Sequence, residues 1–204
     1  MTVNSIRRTS AERYTVTVGE EEISSTLGVV TDLRLYEGKN IDGEQLEELK
    51  LLSVRSLARE YGIEALSRRL MSSGELRKKL IEKGYSLDTA DYCVDWLNER
   101  GFLNDLSYAE AVVRHYSAKG YGAGRIRSEF VKRCINKDLW EQALCSLPDN
   151  SDTLEQLVAK KLKDPSDREQ VRKVSNMLYR RGFSWDEIKK AVSEISQSEE
   201  DIYY

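Results

Sequence analysis

Residues able to do covalent or metal chemistry are sparse in this chain. Among 204 residues there is one histidine, His115, and three cysteines, Cys93, Cys134 and Cys145. A protein zinc site needs several Cys or His ligands at short spacings, and none of these cysteines is close enough in sequence to another to form such a knuckle. The odd cysteine count argues equally against a disulfide framework, so the three thiols are expected to be buried side chains. His115 is expected on a helix face. The run Gly120-Tyr121-Gly122-Ala123-Gly124 is glycine-rich, but it follows a helical pattern and no Gly-Lys-Ser/Thr closes it. It therefore reads as an interhelical turn and not as a phosphate loop. Carboxylates such as Glu44-Glu47-Glu48 and Asp88-Asp91-Asp95 fall at helical spacings and read as solvated faces. No catalytic residue, metal ligand or cofactor site is predicted, and no enzymatic activity is expected.

Charge carries more information. Lys and Arg total 32 against 35 Asp and Glu, a net charge of -3, so bulk charge would not hold nucleic acid. Only residues 105–147 are net positive, with seven basic and five acidic side chains. There Arg114, Lys119, Arg125, Arg127, Lys132 and Arg133 surround the glycine turn, with Tyr116 and Tyr121 interleaved. A second run, Arg68, Arg69, Arg77, Lys78, Lys79 and Lys83, spans an equivalent turn upstream. Such clusters suit phosphates or an acidic protein groove. Ordinary solvated helix faces, with intrahelical pairs such as Glu75 and Lys79, explain them equally well. Arg125 and Arg127 are expected to be exposed.

The elements that position these side chains follow from periodicity. Residues 1–10 are polar and expected to fray. Arg13 to Val18 alternates like a strand, Gly19-Glu20 can turn, and Glu22-Ile23-Ser24 can return as a small hairpin. Asp42 can cap a helix starting near Gly43. Only two prolines interrupt the chain, so long helices are open to it.

Self-similarity defines the rest. Gly74-Glu75-Leu76-Arg77-Lys78-Lys79-Leu80-Ile81 superposes on Gly124-Arg125-Ile126-Arg127-Ser128-Glu129-Phe130-Val131, and a further shift brings Ile126 and Phe130 onto Val174 and Leu178. Each copy reads as helix, glycine stop, helix, preceded by another helix at roughly 44–70, 105–119 and 152–162, with Gly62 or Ser72-Ser73-Gly74 as the first stop. The predicted fold is all-α: three tandem three-helix repeats forming an elongated crescent, with a small N-terminal β-hairpin segment. The expected divisions are 1–43, 44–103, 104–150 and 151–197, followed by a tail at 198–204. Leu76, Leu80, Ile126, Phe130, Val174 and Leu178 should be core. Mean hydropathy of -0.58 and the lack of a long apolar run exclude a transmembrane span, and no secretory signal is evident, so a cytoplasmic protein is expected.

Gly101-Phe102-Leu103-Asn104-Asp105 with Tyr108-Ala109, then Lys119-Gly120-Tyr121-Gly122-Ala123-Gly124-Arg125-Ile126, closely resembles the signature of the RecX family of recombinase regulators. Ser73 to Leu80 with Lys83-Gly84, and Tyr179-Arg180-Arg181-Gly182-Phe183, resemble its first and third repeat motifs. Asp105, Tyr108, Gly120, Gly122 and Gly182 are the motif positions. Two departures stand out: Asn104-Asp105 replaces paired aspartates, and Arg133-Cys134 replaces Lys-Gly at a helix stop.

The resemblance implies a helical monomer that binds the RecA recombinase, alone or as a filament on single-stranded DNA. It would modulate, most simply by inhibition, recombinase, ATPase and coprotease activity in DNA repair, recombination and the SOS response. Partner contacts are expected at Arg114, Lys119, Arg125 and Arg127, then at Arg77, Lys78, Lys79, Arg180 and Arg181, with a weak direct DNA contact conceivable. Asp105 is expected to cap its helix, with Tyr108 packed on Phe102. A helical DNA-binding module, or an adaptor for another protein, remains the alternative.

Overall fold

The computed structural model describes residues 1–10, 12–147 and 151–200. Strands Val3–Arg8 (β1), Arg13–Val18 (β2) and Glu21–Thr26 (β3) form one antiparallel sheet in that order. The expected hairpin is β2–β3, turned at Gly19 with φ of +59°. The expectation that residues 1–10 fray is wrong: β1 is a third strand, and Val3 is fully buried. A register shift between Val3 and Ser5 turns both Val3 and Ile6 toward the core, which breaks the strict alternation that marks a strand in sequence.

Helix α1 (Leu27–Asp32) leads to the 26-residue α2 (Gly43–Arg68). Asp42 starts α2 with a capping box: its Oδ1 accepts from the Gln45 N–H at 2.8 Å, and Gln45 Oε1 accepts from the Asp42 N–H at 3.1 Å. Gly62 does not stop this helix. It lies inside, where a Cβ would come within 2.8 Å of Leu97 Cδ1 and 3.2 Å of Cys93 Sγ, so its role is close helix packing. The two halves of α2 serve different cores, with Leu46 and Leu49 under the sheet and Ala58 in the first repeat.

That repeat is completed by α3 (Ser73–Glu82) and α4 (Leu87–Glu99). Gly84, with φ of +101°, turns the chain between them, and Ser86 caps α4 by accepting from the Thr89 N–H at 3.2 Å. The second repeat comprises α5 (Asp105–Ser117), α6 (Ala123–Lys132), a 3-10 turn (Lys137–Leu139) and α7 (Trp140–Leu144). Asn104, not Asp105, caps α5: the Asn104 Oδ1 accepts from the Ser107 N–H at 2.9 Å, and Asp105 is the first helical residue. Cys134 takes the left-handed conformation, φ of +52°, that the missing glycine would have supplied. For a residue with a Cβ this costs about 1–2 kcal/mol. The third repeat is α8 (Ser151–Lys161), α9 (Arg168–Arg180) and α10 (Trp185–Glu200).

Each repeat has its own apolar cluster, and Leu76, Leu80, Ile126, Phe130, Val174 and Leu178 are all buried in them. The chain divides into two compact units, Met1–Leu103 and Asn104–Tyr204, the second holding two repeats. Among the described residues no helix is long and apolar enough to cross a membrane. Residues 201–204 of the expected tail lie outside the described residues. Of the cysteines only Cys93 is buried. Cys134 is intermediate and Cys145 exposed, because α7 is short and leaves Cys145 beyond the core.

Candidate functional site

The glycines of the middle repeat make an unusual junction. Gly122 precedes α6 and offers no side chain to cap it. Carbonyls from the end of α9 do so instead: the Arg181 oxygen accepts from the Gly122 N–H at 3.0 Å, and the Gly182 oxygen accepts from the Gly124 N–H at 2.9 Å. The residues that end one helix thus satisfy donors at the start of another. A Cβ on Gly122 would overlap the Gly182 carbonyl, and one on Gly182 would overlap the Arg125 backbone nitrogen. Gly182 also has a φ of +92°. Gly120 closes the preceding turn, at φ of +72°.

Beside this junction lies an open groove of about 430 Å³. Arg125 and Arg127 from α6 and Arg180 from α9 line it, with Tyr179 and Phe183. Three of the expected contact residues, from two repeats, therefore meet at one place. Tyr179 stacks on Trp185 with ring centroids 5.1 Å apart and planes 20° from parallel, and both rings remain about half exposed. Nothing in the local sequence singles out Tyr179 and Trp185, because aromatic residues at helix ends usually anchor cores.

Arg125 and Arg127, expected to be exposed, are partly covered and ion-paired. Arg125 pairs at 3.1 Å with Glu129, a buried carboxylate, and Arg127 pairs at 3.1 Å with exposed Glu141. Both side chains are half-buried. Glu129 also receives Lys132 at 3.0 Å, and Arg133 lies 3.9 Å away. Burial works against its charge, but hydrogen bonds from Lys132 and Tyr116, with attraction from Lys132 and Arg125, outweigh that and hold its carboxyl below the ordinary value. Tyr116 is raised, first by burial and then by its bond to Glu129. The guanidinium groups of Arg125 and Arg181 lie 5.8 and 5.9 Å from the Tyr121 ring centroid.

Other expected contact residues lie elsewhere. Arg114 pairs with Glu110 at 3.9 Å, and the Lys119 Nζ sits 2.8 Å from His115 Nε2 and 5.8 Å from the Tyr116 ring centroid. Arg77, Lys78 and Lys79 belong to the first unit. Arg77 forms a bidentate pair with Asp91, which lowers the Asp91 pKa, and Lys78 faces Glu82 at 3.8 Å. Glu75 pairs with Arg69 and not with Lys79. Lys79 instead lines a small cavity with Arg68 and Arg69. Tyr108 packs on the second repeat's core, whereas the Phe102 ring stacks on Trp96 at 6.4 Å.

Family models describing the first, second and third three-helix domains of RecX match residues 58–97, 104–144 and 149–192. A regulatory protein RecX of Vibrio parahaemolyticus is 34% identical over 140 residues, covering 67% of this chain and 90% of that protein. One from Clostridium botulinum strain Eklund 17B is 30% identical over 200 residues, covering 93% and 92%. Two crystal structures share the fold. One of regulatory protein RecX superposes with a TM-score of 0.74 at 19% identity, over 95% of this chain and 98% of its own. One of RecX from Lactobacillus salivarius has a TM-score of 0.62 at 24% identity, over 71% and 97%.

Proposed function

Because the chain belongs to the RecX family of regulatory proteins, we propose that it binds the RecA recombinase, as monomer or as filament on single-stranded DNA, and restrains its recombinase, ATPase and coprotease activities. It acts as a monomer in the cytoplasm, by occupying the filament and not by chemistry of its own. The observation that supports this reading is the groove joining Arg125, Arg127 and Arg180 across two repeats. A nucleoprotein filament is anionic, and a local cationic groove steers association even when net charge opposes it.

The test measures RecA ATP hydrolysis on single-stranded DNA as this protein is added. Hydrolysis is expected to fall. The variant Arg127→Glu with Arg180→Glu leaves the pairing of Arg125 with buried Glu129 intact, and it should need on the order of tenfold more protein for the same effect, with the difference shrinking as salt rises. No effect of the parent on hydrolysis or on filament binding would end the recombinase reading. An unchanged double variant would remove this groove from it.

A further inference from the structure

We propose that the third repeat carries its own site for single-stranded nucleic acid, along the face of α9 that runs from Arg168 through Arg172 to Tyr179 and onto Trp185. The proposal does not depend on the recombinase reading. At 3.6 residues per turn, positions 168, 172, 175 and 179 fall on one stripe, about 16 Å long at 1.5 Å per residue. Arg168 and Arg172 are exposed there, and neither makes an ion pair among the described residues. The neighbouring carboxylates are engaged elsewhere. Asp164 accepts from the N–H and hydroxyl of Ser166, Asp167 accepts from the N–H groups of Glu169 and Gln170, and Glu169 pairs with Lys173 at 2.8 Å.

Arg168 and Arg172 line an open cavity of about 360 Å³ together with Pro165, Val171, Ser175, Val192 and Trp185. Cations beside an aromatic side chain in a largely apolar slot match a phosphate and its base. The stripe then ends on the stacked Tyr179–Trp185 pair, where a second base can stack on an exposed ring. An acidic peptide would satisfy the arginines but has no use for the rings and the slot. A base within a duplex is already stacked, so the fit is to a single strand, and the length of the stripe asks for several nucleotides and not for one.

The test titrates full-length protein, without recombinase, with oligothymidylate at low salt. It follows tryptophan fluorescence and the anisotropy of the labelled oligonucleotide. Binding should quench fluorescence. Trp185→Phe keeps a ring and leaves only Trp96 and Trp140, which pack on the other repeats' cores, so anisotropy should still rise while the quench disappears. Arg168→Glu with Arg172→Glu, checked for native circular dichroism, should weaken binding at least tenfold and flatten the salt dependence by about 0.7 in log-log slope for each phosphate no longer neutralised. Tyr179→Ala should weaken it without changing that slope. Absence of binding by the parent, equal binding by the double Arg variant, or a quench that survives Trp185→Phe would overturn the site. Polyglutamate competing as well as the oligonucleotide would overturn it too, by assigning the face to an acidic protein. Tyr179 also lines the groove, so the ATPase test is kept apart from this one by Arg168 and Arg172, which do not.

Discussion

The Gly182 carbonyl and the Gly124 N–H are hydrogen-bonded at 2.9 Å, which fixes the end of α9 against the start of α6 with no side chain between them. Gly182→Ala should therefore destabilise twice over, through a left-handed φ and through overlap with the Arg125 backbone. The combined cost should be about 2–5 kcal/mol. Gly84→Ala is the control, since Gly84 has the same handedness of backbone but open space around its missing Cβ, and it should cost only about 1–2 kcal/mol. Urea unfolding of both variants decides; equal losses would mean that the close approach contributes nothing.

Glu129 predicts an acid limb. Its folded pKa lies below the ordinary 4.5, so its contribution to stability is complete above that value and is lost as pH falls through the folded pKa. Glu129→Gln should lower stability at neutral pH by about 1–3 kcal/mol, less than for a fully buried pair because its cationic partners are partly solvated. The gap in melting temperature between parent and variant should close as the medium is acidified. A gap that stays constant to the lowest pH would show that the carboxylate's charge is irrelevant there.

The thiols should separate cleanly under an aromatic disulfide reagent. Exposed Cys145 should react first. Cys93 is buried, its Sγ donates to the Ala58 carbonyl at 3.3 Å, and burial pushes its pKa up to about 11. Only the thiolate reacts, so Cys93 should be modified at the rate of unfolding and not before. Rapid loss of all three thiols in native buffer would contradict this packing.

The sequence showed the repeat because Leu76, Leu80, Ile126, Phe130, Val174 and Leu178 carry a local periodicity that survives in one dimension. It did not show what Gly122, Gly124 and Gly182 do. Their partners are one another, from different repeats, whereas a repeat alignment pairs each glycine with its counterpart and not with its neighbour in space. Glu129 was hidden for a related reason: on a charge-rich helix it looks like any solvated carboxylate, and only the convergence of Tyr116, Arg125 and Lys132 sets it apart. The strand at Val3 was hidden by the register shift that puts Val3 and Ile6 on one side. Arg125 and Arg127 were named from charge, and their ion pairs with Glu129 and Glu141 were not legible.

The junction between α9 and α6 also orders events on the ribosome. Synthesis delivers α6 first, and its opening amides must stay with water until Arg181 and Gly182 emerge behind it. The middle repeat can collapse around Phe130 in the meantime, but its second helix starts cleanly only when the third repeat arrives. Nascent chains stalled before residue 182 should thus carry a frayed α6, and the last two repeats should lock together in a single late step.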